Sequence, residues 1–161
     1  MTIQVGDKLP EATFRTMTAD GPAARTTADI FSGKTVVLFA VPGAFTPTCH
    51  RNHMPGFVAN ADTIKAKGVD AIYATSTNDV FVLDAWQKAS DATGKVGILA
   101  DGNAEFANAI GLANDASAAG MGMRSKRYSM IVKDGVVTSL NVGDAPGKAD
   151  ISGADNLITQ L

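Results

Sequence analysis

Hydrophobic positions along this chain follow two different periods. Thr35-Val36-Val37-Leu38-Phe39-Ala40-Val41 is apolar at nearly every position and is bounded by Gly33 and by Pro42-Gly43. A short run of that kind predicts a central strand buried on both faces. Val69–Thr75 and Val96–Ala100 predict a second and a third strand. Between them the spacing turns helical. Phe57, Ala61 and Ile64 predict a helix over Asn52–Lys67, stopped by Gly68, with Pro55-Gly56 kinking it or loosening its first turns. Asn78-Asp79 caps a helix whose apolar face is expected to carry Phe81, Val82, Ala85 and Trp86, as core or interface residues.

Shorter elements surround this frame. The stretch up to Arg25 is rich in Thr, Ala, Gly and Pro, with short strands expected around Ala12–Thr16. Thr27–Phe31 predicts a short helix ended by Ser32-Gly33, and Asn103-Ala104-Glu105 opens another through Ile110. Asn114–Met123, full of Ala, Gly and Met, predicts a loop. Arg127–Lys133 and Val136–Asn141 flank Asp134-Gly135, a strong hairpin signal. Ser152–Leu161 predicts a last helix. The order βαβαβ, then helix, hairpin and helix, points to an α/β fold: a central mixed β-sheet flanked by helices in three layers. With no repeats, charge blocks or linkers, residues 1–161 are expected to form one domain.

Composition narrows the partners. A chain of 161 residues, 45% hydrophobic and 19% charged, has the balance of a soluble globular protein. A net charge of -2 argues against nucleic acid or an anionic membrane as its main partner. No apolar run approaches the ~18 residues of a membrane span. The opening Met1-Thr2-Ile3-Gln4-Val5-Gly6-Asp7-Lys8 lacks the pattern of a secretory signal. Its one cysteine rules out an intrachain disulfide, so a cytoplasmic location is the expectation.

That cysteine, Cys49, lies in Pro42-Gly43-Ala44-Phe45-Thr46-Pro47-Thr48-Cys49-His50, directly after the first apolar run. Such placement presents a thiol at the mouth of a helix, where backbone N–H groups and the helix dipole favour thiolate. His50 and His53 nearby raise a zinc or Cys/His hydrolase reading. Against it, Cys49 and His50 are adjacent and face different sides of a helix, and no second cysteine or carboxylate stands at ligand spacing. No metal and no cofactor are expected. His53, one turn after Cys49, is better suited to a supporting hydrogen bond.

The pattern Pro42-x-x-x-Thr46-x-x-Cys49 resembles the active-site signature of the peroxiredoxins, which share a thioredoxin-like fold. The longer run Val41–Cys49 is similar to the atypical type-5 subfamily. So are His53-Met54-Pro55-Gly56-Phe57, Lys65-Ala66-Lys67-Gly68-Val69, Lys126-Arg127-Tyr128-Ser129-Met130 and the C-terminal Leu157-Ile158-Thr159-Gln160-Leu161. The resemblance spans essentially the whole chain and implies a thiol-dependent peroxidase acting on hydrogen peroxide and small alkyl hydroperoxides. It puts the peroxidatic role on Cys49.

Thiolate formation alone cannot supply the rate of such an enzyme. A thiol of pKa about 8.5 is roughly 3% ionised at pH 7, and lowering the pKa to about 6 gains only ~30-fold. Nucleophilicity also falls with pKa. Other groups must therefore hold the peroxide and stabilise charge on the leaving oxygen. By resemblance, Arg127 supplies a permanent cation and fixed donors, with Arg124 as the fallback for that position. Thr46 can accept from the peroxide and donate toward sulfur. Pro42 shapes the turn and shields the thiolate.

Oxidation of Cys49 yields a sulfenic acid that must be reduced. Some type-5 relatives use a second cysteine near the C-terminus, but Gly147–Gly153 contains none. The expectation is a one-cysteine enzyme recycled by an external thiol: glutathione with a glutaredoxin first, thioredoxin second. The resemblance also implies a homodimer packed around Phe45 and Phe81. The alternative is a peroxide-sensing redox switch or interaction protein using the same cysteine.

Overall fold

The computed structural model describes residues 2–145 and 147–161. Its core is a seven-stranded sheet built from β1 (Thr13–Thr18), β2 (Gly21–Thr26), β3 (Thr35–Ala40), β4 (Ala71–Ser76), β5 (Gly97–Ala100), β8 (Tyr128–Lys133) and β9 (Val136–Val142). Their spatial order is β2-β1-β5-β4-β3-β8-β9. Strands β3, β4 and β5 run parallel, whereas β8 lies antiparallel to β3 and β1 antiparallel to β5. The sheet is mixed, as the element order implies.

Because alternate residues of a strand face opposite sides, β3 feeds two cores. Val37 and Phe39, with Val41 just beyond the strand, pack with Met54, Phe57, Ile64, Leu83, Trp86 and Leu157. These come from α2 (Met54–Ala59), α3 (Ala61–Ala66), α4 (Val80–Ala89) and α6 (Ala154–Ile158). Val36, Leu38 and Ala40 face the other way, toward Ile30 and Phe31 of α1 (Thr27–Phe31) and Phe106 of α5 (Glu105–Ala109). Every residue of Val36–Val41 is buried, which is why the run shows no polar alternation. The tight turn after β8 is Asp134-Gly135, both at positive φ, 48° and 78°, as a two-residue hairpin turn requires.

Four features differ from the sequence expectations. The segment Asn52–Lys67 is not one helix. A π-helical turn covers Cys49–His53, and α2 and α3 are separated at Asn60. Asn60 competes with the helix there: its Nδ2 and its backbone N–H both donate to the Gly56 carbonyl, at 2.8 and 3.2 Å. The buried face of α4 is Val80, Leu83 and Trp86, leaving Phe81 and Ala85 exposed. The Asp79 side chain caps the helix by accepting from Val82 N–H, and packing against the sheet selects the buried face. Residues 113–125 form a small ribbon of β6 (Ala113–Asp115) and β7 (Met123–Ser125) rather than a plain loop. Strand β2, rich in small and polar residues, has no pattern of its own and exists by pairing with β1 along its full length.

Candidate active site

The site lies beyond the C-terminal end of β3. The register Ala40↔Tyr128 places Arg127, immediately before β8, beside the Val41-Pro42 exit of β3. The chain then turns through Gly43-Ala44-Phe45 and becomes helical at Pro47, whose missing N–H costs nothing in a first turn. A side chain at Gly43 would press within 3.1 Å of the Thr46 methyl and 3.4 Å of the Arg124 guanidinium. Asn78 Oδ1 accepts the Ala44 N–H at 2.8 Å and ties this loop to the end of β4. Phe45 holds a left-handed backbone, φ 63°.

Cys49 starts the π-helical turn and is fully buried, 0% exposed. The widened turn has a local cause. Pro55 cannot donate to the carbonyl four residues earlier and its ring crowds that carbonyl, so the preceding turn opens until Met54 N–H reaches Cys49 O. Cys49 and His53, at the two ends of the turn, both face one guanidinium. Arg127 Nη2 donates to Cys49 Sγ at 3.0 Å, and Nη1 contacts His53 Nδ1 at 2.9 Å.

His53 is 1% exposed, and its Nε2 meets the Ser152 carbonyl at 2.9 Å. A carbonyl can only accept and a guanidinium can only donate, so both contacts require the neutral Nε2–H tautomer. Burial drives the His53 pKa from 6.5 down to about 4; Arg127 adds to this, while the Ser152 bond and Asp144 oppose it. The aromatic rings of Phe39 and Phe57 lie 4.9 and 5.6 Å from the imidazole.

Of the residues singled out in the sequence, Cys49 and Arg127 are in contact and Pro42 and Thr46 lie in the stretch leading to the thiol, with two refinements. The Thr46 hydroxyl donates to the Gly43 carbonyl at 2.7 Å, not toward sulfur, and that carbonyl also accepts the Thr46 backbone N–H at 3.4 Å; the hydroxyl lone pairs stay free to accept. Arg124 does not reach the thiol. It donates to the Met121 and Pro42 carbonyls at 2.8 and 3.4 Å, bracing the ribbon against the loop. His50 turns away to accept from Trp86 Nε1–H at 3.2 Å. Among the described residues no cluster of three His, Cys, Asp or Glu side chains could hold a metal, and no helix is long and apolar enough to cross a membrane.

Comparison with known proteins identifies the family and the fold. The Redoxin family profile matches residues 4–158. The chain is 46% identical to Peroxiredoxin-2E-2, chloroplastic, of Oryza sativa subsp. japonica, over 99% of its own length and 73% of the relative's. The chain belongs to the peroxiredoxin family. Among peroxiredoxins it is also 40% identical to the hybrid peroxiredoxin hyPrx5 of Haemophilus influenzae, covering 67% of that protein. Its fold superimposes on reduced Prx3 of Vibrio vulnificus in complex with hydrogen peroxide, with a TM-score of 0.93, 46% identity and 99% of each chain covered. The fold is therefore thioredoxin-like, and this one-cysteine peroxiredoxin is a thiol peroxidase.

Proposed function

We propose that Cys49 is the peroxidatic nucleophile, supported by Arg127, Thr46 and Pro42, and that an external thiol completes the cycle. The observation carrying this reading is the Arg127 N–H held 3.0 Å from the sulfur of the one cysteine in the chain. The thiolate attacks one oxygen of ROOH and the O–O bond breaks. That oxygen stays on sulfur as a sulfenic acid, and RO⁻ leaves, taking up a proton as alcohol or water. Arg127 donates to sulfur before attack and to the departing oxygen after it, where charge develops. Thr46, its own proton committed to Gly43, accepts from the peroxide O–H. Pro42, which has no N–H, is assigned the role of shaping the turn and shielding the thiolate. A cleft of 460 Å³ bordered by Pro42, Lys126, Arg127 and Val142 opens beside the arginine, and Cys49 is not among its lining residues.

The sulfenic acid is then attacked by a thiol from another molecule, releasing water and leaving a mixed disulfide; a second thiol restores Cys49. The donor is external because Cys49 is the one cysteine of this sequence; glutathione with a glutaredoxin is the first choice and thioredoxin the second. We also propose a homodimer, supported by Phe45 and Phe81, large apolar side chains that are 48% and 65% exposed.

The test supplies peroxide with either reductant system in turn. Sustained peroxide consumption with one of them, abolished in Cys49→Ser, is the expected result. Consumption that persists in Cys49→Ser refutes the mechanism. A single turnover that no reductant renews favours the redox-switch reading of the same cysteine.

A further inference from the structure

Among its described residues the segment after β9 has no helix or strand until α6, yet one carboxylate organises it. Asp144 Oδ1 accepts the Asp150 and Ile151 N–H groups at 2.9 and 2.7 Å. Its Oδ2 accepts the Ser152 N–H at 3.0 Å and the Ser152 hydroxyl at 2.5 Å. Three consecutive backbone N–H groups and a hydroxyl thus converge on one side chain. Burial of Asp144 works against its charge, but the Ser152 hydroxyl and the three N–H donors outweigh it and keep the carboxyl below its ordinary range.

Ser152 is fully buried, and its carbonyl is the acceptor for His53 Nε2–H. The contacts form one unbroken line: Asp144 to Ser152, Ser152 to His53, His53 to Arg127 and Arg127 to Cys49. Each link constrains the next. A carbonyl at Nε2 forces the proton onto that nitrogen, which leaves Nδ1 bare. A bare Nδ1 can engage Nη1 of Arg127, and since the guanidinium is planar and rigid, fixing Nη1 aims Nη2.

We propose that Asp144 and Ser152 are positioning residues for peroxide reduction, acting through His53 to orient the Arg127 guanidinium on Cys49. The proposal rests on the peroxidatic reading of Cys49, but its chemical content is separate: a knot in the C-terminal loop selects an imidazole tautomer, and the tautomer orients a cation. In the same stretch where some type-5 relatives place a resolving cysteine, this chain builds a device for the first half of the cycle.

The test compares wild type with Asp144→Ala and Ser152→Ala on the full chain. Four quantities are read: the rate constant with hydrogen peroxide, the Cys49 alkylation rate with iodoacetamide at neutral pH, the thermal midpoint, and the ¹⁵N shifts of His53, which report the tautomer. In Asp144→Ala the peroxide rate is expected to fall roughly tenfold and alkylation to change severalfold, the scale of one misplaced charge-assisted hydrogen bond. The ¹⁵N shifts are expected to move from a single Nε2–H form to a tautomer mixture. Ser152→Ala, which keeps the carbonyl, is expected to show the same changes at roughly threefold, and it bears the test if Asp144→Ala does not fold. A variant with a lowered thermal midpoint but wild-type ¹⁵N shifts and both rates within about twofold overturns the proposal, because the knot is then only structural. If the wild-type chain consumes no peroxide, the peroxidatic reading fails, while alkylation and the His53 shifts still decide this one.

Discussion

Replacing His53 with Gln should remove a defined part of the protein's sensitivity to acid. The imidazole is buried, neutral and held on both nitrogens, with a pKa lowered from 6.5 to about 4. In the unfolded chain it takes up a proton near pH 6.5; in the folded chain it resists until pH is about 4. Its contribution to stability is therefore complete above pH 6.5 and is lost as pH falls toward 4. At about 1.4 kcal/mol per tenfold in proton affinity, the loss at the lower end amounts to about 3 kcal/mol. Glutamine has an N–H and a carbonyl to serve Ser152 and Arg127 but does not titrate. Urea unfolding of both proteins, repeated from neutral pH down to about 4, isolates the difference, since every other ionisable group is common to the two. Wild-type stability should fall more steeply by about 3 kcal/mol over that range. Parallel pH profiles would falsify the assignment of a neutral, proton-resisting His53.

Two further outcomes test Arg127 against Arg124, the first choice and the fallback for the same role. Arg127→Met should lower the peroxide rate constant by about two orders of magnitude, the usual cost of losing a donor to developing charge. Arg124→Met should lower it by no more than about fivefold, because Arg124 touches only the Met121 and Pro42 carbonyls. Stopped-flow kinetics under pseudo-first-order peroxide decides, and the reverse ranking would exchange their roles. Phe81→Asp puts a charge on the exposed face of α4; sedimentation should then report a monomer where wild type sediments as a dimer, and an unchanged sedimentation coefficient would move the interface elsewhere.

The parts of the fold that sequence disclosed are those whose stability is local or doubly constrained. Strand β3 was legible because both of its faces are covered, so every position from Val36 to Val41 had to be apolar. The β8–β9 hairpin was legible because Asp134-Gly135 can adopt the two positive φ values its turn needs. Strand β2 was not, since Gly21-Pro22-Ala23-Ala24-Arg25-Thr26 prefers no strand by itself and borrows its geometry from β1. The rotation of α4 was misjudged for a comparable reason. Phe81, Val82, Ala85 and Trp86 and Val80, Leu83 and Trp86 are both helical stripes, and only the sheet beneath decides which one is buried. Apolar periodicity indicates that a face exists; where more hydrophobic residues are present than the core accepts, the surplus lies outside, and Phe81 is that surplus.

The site divides along the same line. Cys49, Thr46 and Pro42 lie within eight residues of one another, so their chemistry was written in a local motif, and Arg127 joined them through a matching segment at the start of a predicted strand. The relay behind Arg127 had no such signature. Its decisive atom is the carbonyl oxygen of Ser152, a group every residue possesses, and its position depends on the carboxylate of Asp144, eight residues earlier in the chain. His53 drew notice as a histidine one turn from the thiol, but its tautomer follows only from knowing that a pure acceptor sits on one side and a pure donor on the other. Side-chain identity therefore announces the reacting groups, whereas the backbone oxygen that orients them becomes visible only once the fold has closed a separation of 99 residues between His53 and Ser152.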